Sequence, residues 1–399
     1  MATSDVQARI SVGTVFFING MVLASWVPHI PAVKAHHAIS DGQLGLVLLS
    51  MAVGALLALP QAGWLVARFG SRLMTSVAAV GLCLILPLPV LAPSVPLLSA
   101  SLVVFGALNA TLDVSMNAQA VVVEQRYRRA IMSSFHGLFS LGGLVGAALA
   151  GGTMALGAGD MGHVVGAAVV ATVAAVAALP GLLPSAPSTG APAPVFARPR
   201  GVLLTLGLLA FCGLVAEGAM GDWSAVYLHD VVGSSPAVAA AGFAATSLAM
   251  AAGRFGGDRL VRRFGPDVVL RTSATVAAIG LSGALAIGTA WAGVVGCGLV
   301  GLGIANVIPI LFSAAGRVPG VAAGTALAAV ATTGYLGFLA GPPVIGVAAD
   351  VAGLRVALGV VSALCAAIAV GAGVLNRVGA VSDAALVAEP ARLGDEPAA

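Results

Sequence analysis

Within LNATLDVSMNAQA (108–120), an otherwise apolar stretch, Asp113 stands with Asn109 and Asn117 four residues to either side. That spacing puts the three side chains on one face of a helix, with Gly106 and Met116 nearby. An ionised carboxylate at the centre of a bilayer costs about 2.5–3.5 kcal/mol even on the lenient insertion scale, so Asp113 needs a partner, a proton or a water-filled cavity. In a pocket with alternating access to water, such a carboxyl can load a proton on one side and lose it on the other. The plainer role is interhelical hydrogen bonding, because polar groups also hold membrane helices together. Three polar groups in a row exceed what that role needs.

A second acid, Glu217, lies about midway along another apolar run, while Asp222 falls nearer that run's outer end, where water can solvate it. Trp223 beside Asp222 is a candidate gate for an outer vestibule. Asn19, Asn306 and Tyr335 occur at comparable depth in their own runs. Singly each reads as a packing residue; together they offer the mixed donors and acceptors that a hydroxylated solute would need. His136, about five residues into its run, suits either a proton relay near neutral pH or a helix start. Trp26, Trp223 and Trp291 near outer ends, and Trp64 near an inner one, fit an interfacial aromatic belt.

The elements that must hold these residues follow from composition. The 399 residues are 59% hydrophobic and 8% charged, with mean hydropathy +1.05, whereas about a quarter of a soluble domain is charged. Apolar runs of roughly 20 residues, enough to span a bilayer, recur throughout, and lipid forces them to be helices. Breaking the chain at charges, prolines and glycine clusters predicts twelve helices, from 10–31 through 96–120 and 202–228 to 353–377. Placing the N-terminus in the cytoplasm puts sixteen of the eighteen basic residues inside and leaves Lys34 and Arg355 outside. This positive-inside bias predicts a multi-pass protein of a bacterial cytoplasmic membrane with both termini cytoplasmic. The N-terminus leads straight into the first apolar run without a cleavage signal, so that helix is expected to be retained.

Other classes fit poorly. The net charge of +3 is too small to suggest nucleic acid. No glycine-rich phosphate loop occurs, which argues against ATP-driven pumping within the chain. Cys83, Cys212, Cys297 and Cys365 lie in apolar runs without paired spacing and read as free thiols. His29, His36, His37 and His163 fall near the outside and are expected to form no metal or nucleophile constellation with a neighbouring acid. No enzyme activity, cofactor or metal is therefore expected; the partners are a small solute, protons and the lipid bilayer, and the chain is expected to be a monomer.

The chain also repeats. AGWLVARFG (62–70) resembles GDRLVRRFG (257–265) at an offset of 195, which also aligns GALNA (106–110) with GLGIA (301–305), and Gly142 and Gly146 with Gly337 and Gly341. The first and seventh helices match less cleanly, Trp26 with Trp223 at 197. Three places agreeing on one offset indicate a duplication of six helices. The expected organisation is an N-terminal bundle (1–183), a Pro/Ser/Ala-rich cytoplasmic linker (184–201), a C-terminal bundle (202–378) and a disordered cytoplasmic tail (379–399), an all-α membrane protein whose halves rock about a central site.

These features resemble the major facilitator superfamily. Its hallmark after the second helix is a Gly, three residues, an Asp, a basic residue and a second Gly. GWLVARFGSR keeps Gly63, Arg68, Gly70 and Arg72 but has Ala67 in place of the Asp. The second copy has Arg262 at the corresponding position and an acid at Asp258, so the resemblance points to a cytoplasmic conformational motif that includes Arg254, Asp258, Arg259, Arg263 and Gly265, with Asp258, Arg254 and Arg259 as its charge relay. SSFHGLFSLGGLVGA (133–147) and EGAMGDWSAVYL (217–228) are similar to the YbjJ-like inner-membrane branch near the fucose:proton symporters. Those symporters carry an acid in the fourth helix followed four residues later by Asn, the pattern of Asp113 and Asn117, and a polar residue near the position of His136. Drug:proton antiporters have a Gly-Pro pair where this chain has Gly146-Ala147. The resemblance implies proton-coupled symport of a small polar solute such as a sugar, with coupling at Asp113, Glu217 and His136. Proton-driven efflux is the alternative, and a transport-dead sensor the remaining one.

Overall fold

The computed structural model describes residues 4–127, 131–157, 159–184, 200–319, 321 and 323–376. The expected linker, apart from residues 184, 200 and 201, and the expected tail lie outside them, as do Arg128 and Arg129. Twelve helices among the described residues are long and apolar enough to cross a membrane. We number them α1 (Asp5–His37), α2 (Asp41–Phe69), α3 (Ser71–Leu91), α4 (Val95–Tyr127), α5 (Met132–Ala155), α6 (Gly159–Gly181), α7 (Val202–Val231), α8 (Pro236–Phe264), α9 (Pro266–Ile287), α10 (Ala290–Ala315), α11 (Ala323–Ala352) and α12 (Leu354–Asn376). Twelve alternating crossings bring Asp5 and Asn376 to one end of the bundle, called here the termini end; the opposite end is the far end.

Helix starts are set by local chemistry. Ser40 accepts from the Gln43 N–H while the Gln43 side chain accepts from the Ser40 N–H, a capping box that opens α2. Such caps are worth about 1 kcal/mol. At the start of α5 a carboxylate substitutes for a local cap: Glu124 of α4 accepts from the backbone N–H groups of Ile131 and Met132, both at 2.7 Å. Between α2 and α3 the chain turns at Gly70 (φ 84°, ψ 149°), and between α8 and α9 at Gly265 (φ 84°, ψ 154°). Only glycine adopts that backbone freely, so the repeat extends to the turn geometry.

Without a hydrophobic force between helices in lipid, association depends on close packing at small residues. A Cβ on Gly20 would land on the Phe139 carbonyl, and one on Gly142 on that of Phe17, so α1 and α5 lie backbone to backbone. In the second half Gly337 of α11 meets the Phe211 carbonyl of α7 in the same way. Gly106 of α4 abuts the Met51 carbonyl of α2, and Gly301 of α10 the Thr246 carbonyl of α8. These contacts repeat at the 195-residue offset for α2, α4 and α5. For α1 and α7 the packing register is 194, since Phe17 and Phe211 are equivalent; the match of Trp26 to Trp223 at 197 is corrected, and Trp26 corresponds to Met220.

The two six-helix halves meet along two antiparallel seams. Along α5 and α8, Gly151 faces Ala237 and Ala240, Gly143 faces Ser247, and Gly137 faces Phe255. Along α2 and α11, Gly45 faces Pro342 and Gly346 faces Asp41. At the far end polar ties reinforce this: the Lys34 ammonium sits 2.6 Å from Asp41 and 2.7 Å from Asp230 of α7, and the Ser40 hydroxyl donates to Asp350 of α11 at 2.9 Å. The halves are closed against one another there.

Candidate functional site

α4 carries Asn109, Asp113 and Asn117 on one face, as the spacing requires. The Asn117 amide donates to the Asp113 backbone carbonyl at 2.8 Å and to its carboxylate at 3.1 Å. Asn109 Oδ1 is buried without a partner among the described residues. From α1 the buried Asn19 reaches toward the same helix, its amide 3.8 Å from the Met116 sulfur and its carbonyl oxygen unpartnered among the described residues. Unsatisfied buried acceptors cost free energy, so this cluster is arranged to receive donors.

The second acid has a partner that the sequence reading assigned elsewhere. Arg254 of α8 lies 3.5 Å from the Glu217 carboxylate of α7 and donates to the Ser140 hydroxyl of α5 at 3.0 Å. Expected at the cytoplasmic motif, it instead bridges the two halves inside the bundle. Eleven residues of helix separate it from Gly265, about 16 Å at 1.5 Å per residue, and that depth was the available signal. Ser140 was not anticipated at all. Asn306 of α10 donates to the Gly253 carbonyl at 3.0 Å, so it braces the turn that carries Arg254. It sits where α10 breaks between Ile304 and Val307. His136 has Arg254 as its charged neighbour and sets its ring edge-on to Phe16 at 5.3 Å.

Tyr335 of α11 joins the two acids. It lies within electrostatic reach of both Asp113 from the first half and Glu217 from the second. It is 40% exposed. Asp222 lies further along α7, partly buried. Trp223 is fully buried with its indole N–H unpartnered among the described residues, and Trp26 is 3% exposed; both are core residues and not part of an interfacial belt. Trp291 and Trp64 remain exposed.

The Major Facilitator Superfamily sequence profile matches residues 12–342. The chain is 40% identical over 374 residues to an uncharacterized MFS-type transporter of Yersinia pestis, covering 93% of this chain and 97% of that one. It belongs to the major facilitator superfamily. It is also 37% identical over 347 residues to the membrane protein MosC of Rhizobium meliloti, with 86% and 84% of the two chains covered. Among solved structures it is similar to the nucleoside transporter NupG (TM-score 0.69, 13% identity, 93% and 98% covered) and to the superfamily transporter FucP in its outward conformation (TM-score 0.61, 16% identity, 92% and 98% covered). At those identities the likeness is one of fold.

In this superfamily member the motif region lies at the termini end. Arg68 packs its guanidinium over the rings of Trp64 and Phe69, at 5.4 and 5.6 Å from the centroids, and Arg263 packs over Phe264 at 5.2 Å. A Cβ on Gly63 would meet nothing within 4 Å among the described residues, so close approach does not explain that glycine in this arrangement. Arg72 begins the helix after the Gly70 turn, and Arg259 is exposed. The Asp258 side chain lies outside the described residues. No group of three or more metal-ligating side chains suited to a metal ion occurs among the described residues.

Two of the histidines expected near the outside are joined through hydrogen bonds to an acid, though not as a metal site. His29 Nδ1 lies 2.8 Å from the Asp160 carboxylate, and its Nε2 lies 2.8 Å from His163 Nδ1. An acid–histidine–histidine chain with both histidines buried therefore exists at the far end. Separations of 131 and 134 residues hid it from any local pattern.

Proposed function

We propose that the protein is a secondary transporter that works by alternating access and couples solute movement to protons, by symport of a small polar solute such as a sugar. The observation that carries this reading is that two intramembrane acids from opposite halves, Asp113 and Glu217, both lie within electrostatic reach of Tyr335. Intramembrane carboxylates are costly unless paired, protonated or wet. Asp113 has only Asn117 as a hydrogen-bond partner among the described residues, so it is the group free to take up and release a proton. Glu217 is held by Arg254, which makes it the responder: as the halves separate along α5 and α8, Arg254 gives up Ser140 and turns to solute while keeping Glu217. Asn109, Asn117, Asn19 and Tyr335 supply donors and acceptors for hydroxyl groups. In bacteria the arginine-rich termini end faces the cytoplasm by the positive-inside rule, and the chain acts as a monomer without a cofactor.

Reconstitution in liposomes with an imposed pH gradient and a panel of sugars and other polar solutes tests this. Uptake accompanied by co-moving protons is expected; exchange against protons would turn the reading to efflux. Asp113→Asn should abolish accumulation against a gradient, at least tenfold, while leaving passive exchange of solute. Unchanged accumulation removes Asp113 from coupling. Glu217→Gln should weaken apparent affinity or turnover, and wild-type values for both remove it from the site.

A further inference from the structure

Hydrogen-bond accounting makes the Asp160–His29–His163 chain a site for one additional proton. His29 is fully buried and His163 is 3% exposed. The Asp160 carboxylate can only accept, so His29 donates from Nδ1; its Nε2 is then the acceptor, and His163 must donate from Nδ1. That leaves His163 Nε2 as an acceptor, buried and without a partner among the described residues. A proton added to the chain ends as an N–H on that nitrogen, and the closed far end offers it no acceptor. An imidazolium there requires hydration or a new partner, and both require the surrounding helices to part.

The chain sits where parting has consequences. His29 ends the short 3-10 turn Val27–His29 that interrupts α1, and this turn packs against α5 of its own half and α7 and α8 of the other. Asp160, 38% exposed on its side chain, opens onto a cavity of about 310 Å³ that straddles the halves, walled by Pro28, Ala32 and Met154 on one side and His229 and Pro236 on the other. Five residues beyond His29, Lys34 makes the tie to Asp230.

We propose that Asp160, His29 and His163 form a proton-binding site whose occupancy favours opening of the far end, so that acid on that side promotes the open state. His229 of α7 lines the same cavity as Asp160; the other titratable groups near this end are Asp230 of α7, Lys34, His36 and His37 at the end of α1, Asp41 of α2 and Asp350 of α11. α5 and α8 contribute none in the halves that pack here, and α3 contributes only Cys83. His229 is paired with Asp230 at the exposed rim, at 2.8 Å, and serves as the control. The inference rests on the alternating-access reading in that the far end must open at all.

Hydrogen–deuterium exchange of the full chain in lipid nanodiscs, expressed as protection factors so that the intrinsic pH dependence is removed, tests it. Protection of segments 27–40 and 227–240 should fall as pH drops from 8 to 5, up to tenfold per unit for one linked proton. His163→Gln should flatten that profile, and His229→Gln should retain it. A flat native profile overturns the proposal, as does an unaltered fall in His163→Gln or its loss in His229→Gln. Should His163→Gln not fold, Asp160→Asn on the cavity wall is read against the same expectation. Failed solute uptake with a pH-dependent far end would overturn the transport reading alone.

Discussion

Arg254 decides how the central residues are to be understood. A cation about 16 Å into a membrane helix needs an anion, and Glu217 at 3.5 Å supplies it. Arg254→Gln leaves the carboxylate without its cation and should destabilise the protein by about 1–3 kcal/mol, seen as a lower thermal midpoint in detergent. The Arg254→Gln/Glu217→Gln double variant should recover part of that loss, with a coupling of about 0.5–3 kcal/mol. Additive effects would show that the two do not interact. Asp113 and its asparagines were legible because i, i+4 spacing is a local property. Arg254 was not, because it precedes Arg259, Arg262 and Arg263 in one basic run, and a charge count does not register depth. The histidine chain was invisible for a different reason, His29 being more than 130 residues from both Asp160 and His163.

Among the helices, glycine separates into kinds that the sequence does not distinguish. Gly20 of α1 rests against the Phe139 carbonyl of α5, whereas Gly63 of α2 has nothing within 4 Å of a Cβ among the described residues. Gly20→Ala should cost about 1–3 kcal/mol through overpacking. Gly63→Ala should be neutral or stabilise by up to about 1 kcal/mol, since alanine is the better helix former. A thermal-shift comparison in one detergent checks both, and equal losses would refute the assignment. Glu124 offers a second contrast: its carboxylate holds two N–H groups at the start of α5, and Glu124→Ala should lower stability by about 1–2 kcal/mol. The helices themselves were predictable because lipid leaves the backbone no alternative. Their ends were less so, and α4 runs on to Tyr127, seven residues past the expected boundary.

At the level of the whole molecule, the far end is held by a few polar ties between halves that otherwise meet through small residues. Lys34 bridges Asp41 of its own half and Asp230 of the other. Lys34→Met should shift the balance toward the open far end by several-fold, read as faster alkylation of a cysteine placed at Ala239 in the cavity wall. The native protein should show the same shift on raising salt, because partly exposed ion pairs are screened. Alkylation that ignores both changes would mean that Lys34 does not hold the end closed.

The sequence by itself determined the helical fold, the duplication and the polar face around Asp113, because bilayer thickness, backbone hydrogen bonding and helical periodicity act along the chain. Tertiary structure alone decided that Arg254 pairs with Glu217, that Trp26 and Trp223 are core, that α1 and α7 align at 194, and that His29 links Asp160 to His163. Each of these depends on which faces of distant helices meet, and that is fixed by close packing of small residues across the bundle, which composition and spacing do not encode.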